Sequence, residues 1–209
     1  METSGNYLRG FFVLVLVQNK KFMEPFEYVV VMITLILGLG MTQLLNGVAD
    51  MVAHYDKIKF SYAHSLLISV VFLVTLQDWW YSYQYSKQIE EWTLPIVLSL
   101  LSFPILLFVE TRLLFPTGSR SQETDMEVYF QENWKWIYSI FVMTILISIA
   151  QNIYFSGYTI QEQIPLMIYA GVYLMFIFGD FRNKLLHEVF MVAQLFLWIG
   201  FAVLDSTTL

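Results

Sequence analysis

The sequence predicts an all-α fold, a polytopic membrane helix bundle of about six transmembrane helices in one domain. Of the 209 residues, 57% are hydrophobic and 13% are charged, whereas soluble domains carry about 25% charged residues. The mean hydropathy is +0.60, and too few polar side chains remain to cover a water-soluble surface. Runs such as LISVVFLVTL are apolar at every position, so they do not show the alternation of barrel strands.

Charge-free runs define the individual helices. A helix that crosses about 30 Å of hydrocarbon needs about 20 mostly apolar residues. Six runs of that order comprise residues 28–49, 60–77, 92–109, 136–158, 163–179 and 185–204. Tryptophan and tyrosine residues lie at several of their ends, as in the aromatic belts of membrane proteins. These spans form a single transmembrane domain, residues 23–209.

Residues 1–22 form an N-terminal extension, which we interpret as an interfacial segment. Arg9 precedes the apolar stretch 11–17, and residues 18–21 are polar. As a helix this stretch covers only about 10–12 Å and cannot span a bilayer. Two alternatives stay open. One is a cleaved signal peptide, although no small-residue cleavage site follows, and the other is translation that begins at Met23.

Lysine and arginine are distributed unevenly between the two sets of loops. One set carries seven of them, and the other carries only Lys87 after Met23. The positive-inside rule therefore predicts that both termini lie outside the cytoplasm, and we expect the bacterial inner membrane as the location. The longest loop, residues 115–133, is acidic and is interpreted as a solvated cytoplasmic connector.

Span one contains the most informative polar pattern. Gly38, Thr42, Asn46 and Asp50 recur at every fourth residue, and Gln43 lies beside them. One face of the helix is therefore small and polar. In hydrocarbon such a face is expected to point into a bundle or cavity. Both helix packing and a stripe that faces a solute or ion are consistent with the pattern.

Polar side chains on other spans extend this stripe to a candidate route for an ion or small polar solute. The candidate residues are Gln43, Asn46, Asp50, Gln77, Asp78, Gln151 and Asn152. Asp78 directly precedes the aromatic residues 79–81, which makes it a candidate for a cavity mouth. Glu110, Asp180 and Glu188 lie at or near span ends beside basic residues, and we expect them at the membrane interface.

Composition and motifs exclude or disfavour several functions. The chain has no cysteine, which rules out disulfides, cysteine-ligated metals and thiol nucleophiles. The net charge is -6, whereas proteins that bind nucleic acid carry clusters of basic residues. Nucleic acid is therefore not an expected partner. His187 and Glu188 begin the zinc-protease pattern HExxH, but Met191 stands where the second histidine is required. An enzymatic activity is left open without being favoured, and no cofactor is expected.

The three histidines, His54, His64 and His187, map to the same predicted side of the membrane. Imidazole binds metals and haem, but no ligand spacing connects these residues, so they are weak candidates and no metal site is predicted.

Three hypotheses for function follow from these patterns. The preferred one is a small channel or transporter for an ion or small polar solute. The second is a membrane scaffold or signalling subunit that docks a partner protein at the acidic loop, and the third is a haem or metal membrane protein. The lipid bilayer is the expected environment in all three. A homo-oligomer is a further expectation, because small bundles can complete their polar faces between protomers.

Overall fold

A computed structural model of the chain describes residues 24–116 and 124–204. The predicted interfacial segment 1–22 lies outside the described residues, as do residues 117–123 of the acidic loop. The elements in chain order are α1 (Pro25–Ala53), β1 (Ile58–Lys59), α2 (Tyr62–Ser82), α3 (Tyr85–Gln88), α4 (Leu94–Leu113), β2 (Thr124–Asp125), α5 (Met126–Phe155), α6 (Ile164–Gly179, after a 3-10 turn at Gln161–Gln163) and α7 (Lys184–Leu204).

Six helical segments of the described chain are long and apolar enough to cross a membrane, as the sequence predicted. They correspond to α1, α2 with α3, α4, α5, α6 with its 3-10 turn, and α7. The longest, α1 and α5, have 29 and 30 residues. At about 1.5 Å per residue, each is longer than the hydrocarbon layer of about 30 Å, so their ends extend beyond it.

Local sequence signals set several of the helix ends. At the start of α1 the Glu24 N–H donates to Glu27 Oε2 over 3.1 Å, which satisfies a backbone donor next to the first turn. Ser61 precedes α2 and caps it, because its Oγ accepts the His64 N–H at 3.4 Å. α6 ends at Asp180, which adopts the left-handed conformation with φ 47° and ψ 42°, a conformation that aspartate tolerates.

Helix α5 begins earlier than the sequence analysis expected. Its first residue, Met126, lies within the segment 115–133 that was predicted to be a loop. The Asp125 carboxylate accepts two backbone N–H groups of the first turn, at 2.9 and 3.2 Å, and thereby caps the helix. Met126, Phe130 and Trp134 are buried one turn apart. Docking of a partner protein at the remainder of this loop stays a prediction.

Helices α2, α4 and α5 form the centre of the bundle. α2 packs against α1, α4, α5 and α7, while α4 also packs against α1 and α5, and α5 against α6. α1 closely approaches α4 and the residues that follow it at two glycines. A Cβ on Gly40 would lie 3.6 Å from the Cα of Phe108, and a Cβ on Gly47 would clash with the ring of Phe115, two residues after the end of α4. These glycines therefore allow the close contact between α1 and α4.

The two ends of the bundle differ in charge. Contacts between the end of α4 and the start of α2, and between the starts of α2, α5 and α7, place these termini at one end. We call it the basic end, because it holds six of the seven lysines and arginines that the structure describes: Lys57, Lys59, Arg112, Lys135, Arg182 and Lys184. The opposite end begins α1, α4 and α6 and carries the acidic residues Glu24, Glu90, Glu91 and Glu162.

Polar contacts link the connections at the basic end. β1 and β2 pair in parallel with Lys59 opposite Asp125, and the two side chains form a 2.7 Å ion pair. The hydrogen bond from Lys59 holds the pKa of Asp125 below its usual value and raises the pKa of Lys59. The Ser61 hydroxyl donates to Glu127 Oε2 over 2.7 Å, and Lys184 Nζ lies 3.3 Å from the same oxygen. These contacts join α2, α5 and α7.

Candidate functional site: a buried carboxyl cluster

The polar stripe of α1 faces the surface of the protomer, whereas the sequence predicted that it points into the bundle. Gly38, Thr42 and Asn46 are exposed. The buried face of α1 consists of aliphatic residues, a methionine and two glycines: Val29, Ile33, Leu37, Gly40, Leu44, Gly47 and Met51. Their spacing of three and four residues matches a packing seam of an α-helix. This aliphatic face packs against the protein, and the polar stripe lies outside it.

The members of the stripe differ in their hydrogen bonds. The Thr42 hydroxyl donates to the carbonyl of Gly38 in its own helix over 2.7 Å. Gln43 and Asp50 are half-buried beside the stripe. The Asn46 amide makes no hydrogen bond to any residue that the structure describes. Asn46 is therefore the polar group of α1 that most needs a partner in hydrocarbon.

The amides of α5 act as cross-links between elements. Gln151 is buried, and its Nε2 donates to the carbonyl of Ser99 in α4 over 2.7 Å. Asn152 Nδ2 donates to Gln163 Oε1 at the start of α6 over 3.0 Å. Both amides hold α5 against its neighbours, which is the packing role that polar side chains often have in membrane bundles.

Gln77 and Asp78 lie on α2 toward the opposite end of the bundle, and both residues are half-buried. Asp78 Oδ2 is buried and has no hydrogen-bond partner among residues 24–116 and 124–204. The candidate route residues of the sequence analysis are therefore not gathered in one place. Those on α1 are exposed or half-buried, whereas those on α5 bond α4 and the turn before α6.

Each of the three histidines makes a separate hydrogen bond. His54 Nδ1 lies 3.0 Å from the carbonyl of Asp50 in its own helix. His64 Nε2 lies 2.6 Å from the carbonyl of Leu114, and His187 is held elsewhere by α5. Within the described part of the chain, no group of three or more histidine, aspartate or glutamate side chains is placed to hold a metal ion.

Glu110 is the most unusual polar residue of the bundle. Its exposure is 0%, and both carboxyl oxygens lack a hydrogen-bond partner among the described residues. The sequence analysis expected Glu110 at the interface beside Arg112, but Arg112 is exposed. Two residues apart on a helix, the two side chains point in different directions. A carboxyl group at such a position is costly and is commonly functional.

The last turn of α4, which carries Glu110, is covered by side chains of two neighbouring helices. His64 of α2 bonds the Leu114 carbonyl, and the Tyr129 hydroxyl of α5 donates to the Leu113 carbonyl over 2.8 Å. These two bonds satisfy backbone acceptors at the helix end. Glu110 itself is completely buried, even though it lies only one turn from the end of its helix.

Four side chains of α6 and α7 form a hydrogen-bonded group near this carboxyl. The hydroxyls of Tyr173 and Tyr169 donate to Gln194 Oε1 over 2.9 and 3.2 Å, and Trp198 Nε1 donates to the Tyr169 hydroxyl over 3.3 Å. Glu110 makes no hydrogen bond to these four side chains, and its link to them is an electrostatic interaction with Tyr169 and Tyr173. We call these five residues the Glu110 cluster. In the described chain, Gln194 Nε2 is buried without an acceptor.

A second buried polar contact lies nearer the basic end. His187 Nδ1 is 2.8 Å from the Tyr138 hydroxyl, and His187 Nε2 is 2.8 Å from the Phe181 carbonyl. Because a carbonyl only accepts, Nε2 is assigned the proton and Nδ1 accepts from Tyr138. Lys135 Nζ forms a 2.6 Å ion pair with Asp180, and hydrogen bonds from Lys135 and a nearby arginine lower the pKa of Asp180.

Aromatic rings surround His187. Ring centroids of Trp134, Phe176 and Phe130 lie 4.9, 5.2 and 5.3 Å from its imidazole, and that of Tyr138 lies 5.6 Å away. The imidazole therefore joins α5, α6 and α7 through both packing and hydrogen bonds. We call the histidine with its two hydrogen-bond partners, Tyr138 and Phe181, the His187 clasp.

The polar side chains on the inner face of α7 follow one line along the helix. His187, Gln194 and Trp198 lie on this face over about 16 Å, at about 1.5 Å per residue. α7 packs against α2, which carries Asp78 toward the opposite end. The three polar side chains of α7 and Asp78 of α2 are therefore spaced between the basic end and the opposite end of the bundle.

Two clefts lie at the opposite end of the bundle. One of about 510 Å³ is lined by Pro95, Ile96, Ser99, Ala150, Ile153, Tyr154 and Phe155. A second, of about 320 Å³, is lined by Gln88, Ile89, Glu90, Glu91, Ile96, Tyr154 and Phe155. Neither is lined by a residue of the Glu110 cluster, so these clefts are separate from the buried carboxyl.

The sequence contained a signal for part of the Glu110 cluster that the analysis did not use. Tyr169 and Tyr173 are four residues apart, and so are Gln194 and Trp198. Each pair therefore lies on one face of its helix. Which face meets Glu110 depends on how the helices pack, and spacing alone does not give that.

Comparison of the chain with models of protein families, with curated proteins and with solved structures finds no match. A functional assignment therefore rests on the geometry and chemistry of the described residues.

Proposed function

We propose that this protein is a multi-pass membrane channel or transporter for a small inorganic cation, the proton included, and that Glu110 binds this cation during transport. The observation that carries the proposal is the complete burial of Glu110 without a hydrogen-bond partner in the described chain. An unpaired carboxyl in a membrane bundle destabilises the fold. Its presence is accounted for if an ion must bind there.

The surroundings of Glu110 favour a small cation over a larger solute. Large side chains, among them Trp134, Tyr138 and Tyr173, are completely buried in the same bundle and fill its interior. The polar groups along α7, together with Asp78 on α2, supply hydrogen-bonding positions on either side of the Glu110 cluster. In this proposal Asp78 forms the outer part of the route, and Glu110 forms the inner part.

The proposed orientation follows from charge. The basic end faces the cytoplasm according to the positive-inside rule, and both termini then lie on the other side of the bacterial inner membrane. Glu110 lies one helical turn from the basic end, and Asp78 lies near the opposite end. A cation that enters from outside would meet Asp78 first.

Cation flux into liposomes tests the proposal. Purified protein is reconstituted into liposomes that contain a pH-sensitive or a sodium-sensitive dye, and a potassium diffusion potential drives cation entry. We expect entry of protons or of sodium to be faster than in empty liposomes. Glu110→Gln keeps the shape of the side chain but removes its ability to carry a charge, so it should return the rate to that of empty liposomes.

Glu132→Gln is the matched control, because Glu132 is an exposed glutamate at the basic end and the same charge is removed from the protein. This variant should conduct like the wild type. The proposal is wrong if wild-type liposomes show no flux above the empty ones, or if both glutamine variants conduct at the wild-type rate.

A second candidate function is assembly of this chain with a second copy through the outer face of α1. Asn46 favours it, because this exposed amide has no partner in the described protomer. An amide is both donor and acceptor, so two Asn46 side chains related by a two-fold axis can satisfy each other. The adjacent Gly38 leaves open space around its Cα, which allows a second helix to approach closely.

The oligomeric state in detergent tests this assembly. Asn46→Leu should shift the protein from dimer toward monomer, as measured by light scattering on a sizing column, because leucine offers no hydrogen bond between helices. Ser69→Leu, an exposed position on α2, is the control and should leave the mass unchanged. A wild-type protein that is monomeric in detergent and in bilayers would remove the second candidate.

A further inference from the structure

We propose that Glu110 is a proton-binding site, held in the folded protein as a neutral carboxylic acid. The inference rests on the proposed function in one respect, since it identifies the proton as the cation that the site handles. The protonation of Glu110 itself is measured without any transport assay.

The first argument concerns charge. An ionised carboxyl group that is removed from water needs a cation beside it. The ion pairs between described residues all lie at the basic end, and they use Lys59, Lys135, Arg182 and Lys184. None of them involves Glu110, and Arg112 on the same helix is exposed. Because no side-chain cation neutralises this carboxyl in the described chain, a bound proton does so.

The second argument concerns the number of ligands. Metal cations such as Ca²⁺ and Mg²⁺ require about six or more oxygen ligands in a defined geometry. Near Glu110 the oxygen of Gln194 already accepts two tyrosine hydroxyls, and the Tyr169 hydroxyl also accepts the Trp198 N–H. Among the described residues, no second carboxylate or histidine completes a metal site. A proton needs only one oxygen, and Glu110 supplies two.

A third observation concerns the hydrogen bonds of the carboxyl group. Both oxygens of Glu110 lack a hydrogen-bond partner in the described chain. Gln194 makes no hydrogen bond to them, because its buried Nε2 also has no partner there. An ionised carboxylate in this position would have two charged oxygens without a donor, which costs much more free energy than a neutral acid.

Infrared spectroscopy of proteoliposomes at neutral pH tests the proposal, because the C=O stretch of a protonated carboxyl is separate from the bands of a carboxylate. We expect the wild-type spectrum minus the Glu110→Gln spectrum to contain one protonated-acid band, and Glu132→Gln to retain this band. Sodium chloride should not change it. Wild-type protein with ¹³C-labelled glutamate provides a second measurement that does not depend on the folding of a variant, and in it the band must shift to lower frequency.

The proposal is overturned if the wild-type difference spectrum contains carboxylate bands and no acid band, or if sodium converts the acid band into carboxylate bands. In those cases sodium flux that depends on Glu110 would still support the proposed function, whereas absence of all flux would contradict the proposed function alone.

Discussion

His187→Ala should lower the free energy of unfolding by about 3–5 kcal/mol, the range for removal of a large buried side chain. The substitution removes an imidazole that is 0% exposed and that packs against aromatic rings of α5 and α6. It also leaves the Tyr138 hydroxyl and the Phe181 carbonyl without their partner. Of these two groups only the Tyr138 hydroxyl is buried, and a buried polar group that is left unpaired costs about 1–3 kcal/mol. α7 thereby loses the buried hydrogen bond that joins His187 to Tyr138 of α5.

Equilibrium unfolding in mixed micelles with increasing denaturing detergent measures this change. His54→Ala is the matched control, because His54 bonds only a carbonyl of its own helix and is half-buried. It should alter stability by about 0.5 kcal/mol or less. Equal losses in the two variants would show that the His187 clasp does not hold α7 to α5.

Tyr138→Phe separates hydrogen bonding from packing within the same clasp. The ring remains in place, and only the bond to His187 Nδ1 is lost, so a smaller destabilisation of about 1–3 kcal/mol is expected. The double variant with His187→Ala should lose less than the sum of the two single variants, because both remove the same bond.

The number of helices could be predicted from the sequence, because a bilayer of about 30 Å requires long charge-free segments. The beginning of α5 could not, since its first two turns extend beyond the hydrocarbon layer and carry charges such as Glu127 and Glu132. A search for uncharged runs ends where these charges begin. The Asp125 cap and the buried Phe130 determine the true start.

The buried face of α1 also could not be chosen from the sequence. Gly38 with Thr42 and Asn46 forms one small stripe, and Gly40 with Gly47 forms another. Both patterns repeat with helical spacing. The choice depends on the neighbouring segment, where the Phe108 backbone in α4 lies next to Gly40 and the ring of Phe115, which follows α4, lies against Gly47. These close contacts select the second stripe, and they are a property of the tertiary packing.

Glu110 was misjudged for a related reason. Its distance from the end of α4 is the same in the sequence and in the structure, but the sequence does not show that His64 and Tyr129 cover that end. Depth in the bilayer and depth in the protein are different quantities. A carboxyl group near a span end is inexpensive when it reaches water, but Glu110 is completely buried.

Glu110→Leu should raise the free energy of unfolding by about 1–3 kcal/mol, the size of the penalty for an unpaired buried polar group. Leucine is similar in size to glutamate, and no hydrogen bond between described residues is lost, since neither oxygen of Glu110 makes one. The same variant should have no cation flux. A residue that weakens the fold but is needed for activity is an instance of the trade-off between stability and function.

Glu127→Leu is the control for this prediction, because Glu127 is also a glutamate in a spanning helix but accepts from Ser61 and pairs with Lys184. Its replacement should destabilise the protein, so the two substitutions are expected to have opposite signs in the same unfolding assay. If Glu110→Leu destabilises the bundle as Glu127→Leu does, Glu110 has a stabilising partner in the folded state. If it stabilises the bundle and flux persists, Glu110 is not the cation-binding residue, and the route must use other groups, of which Asp78 is the first to replace.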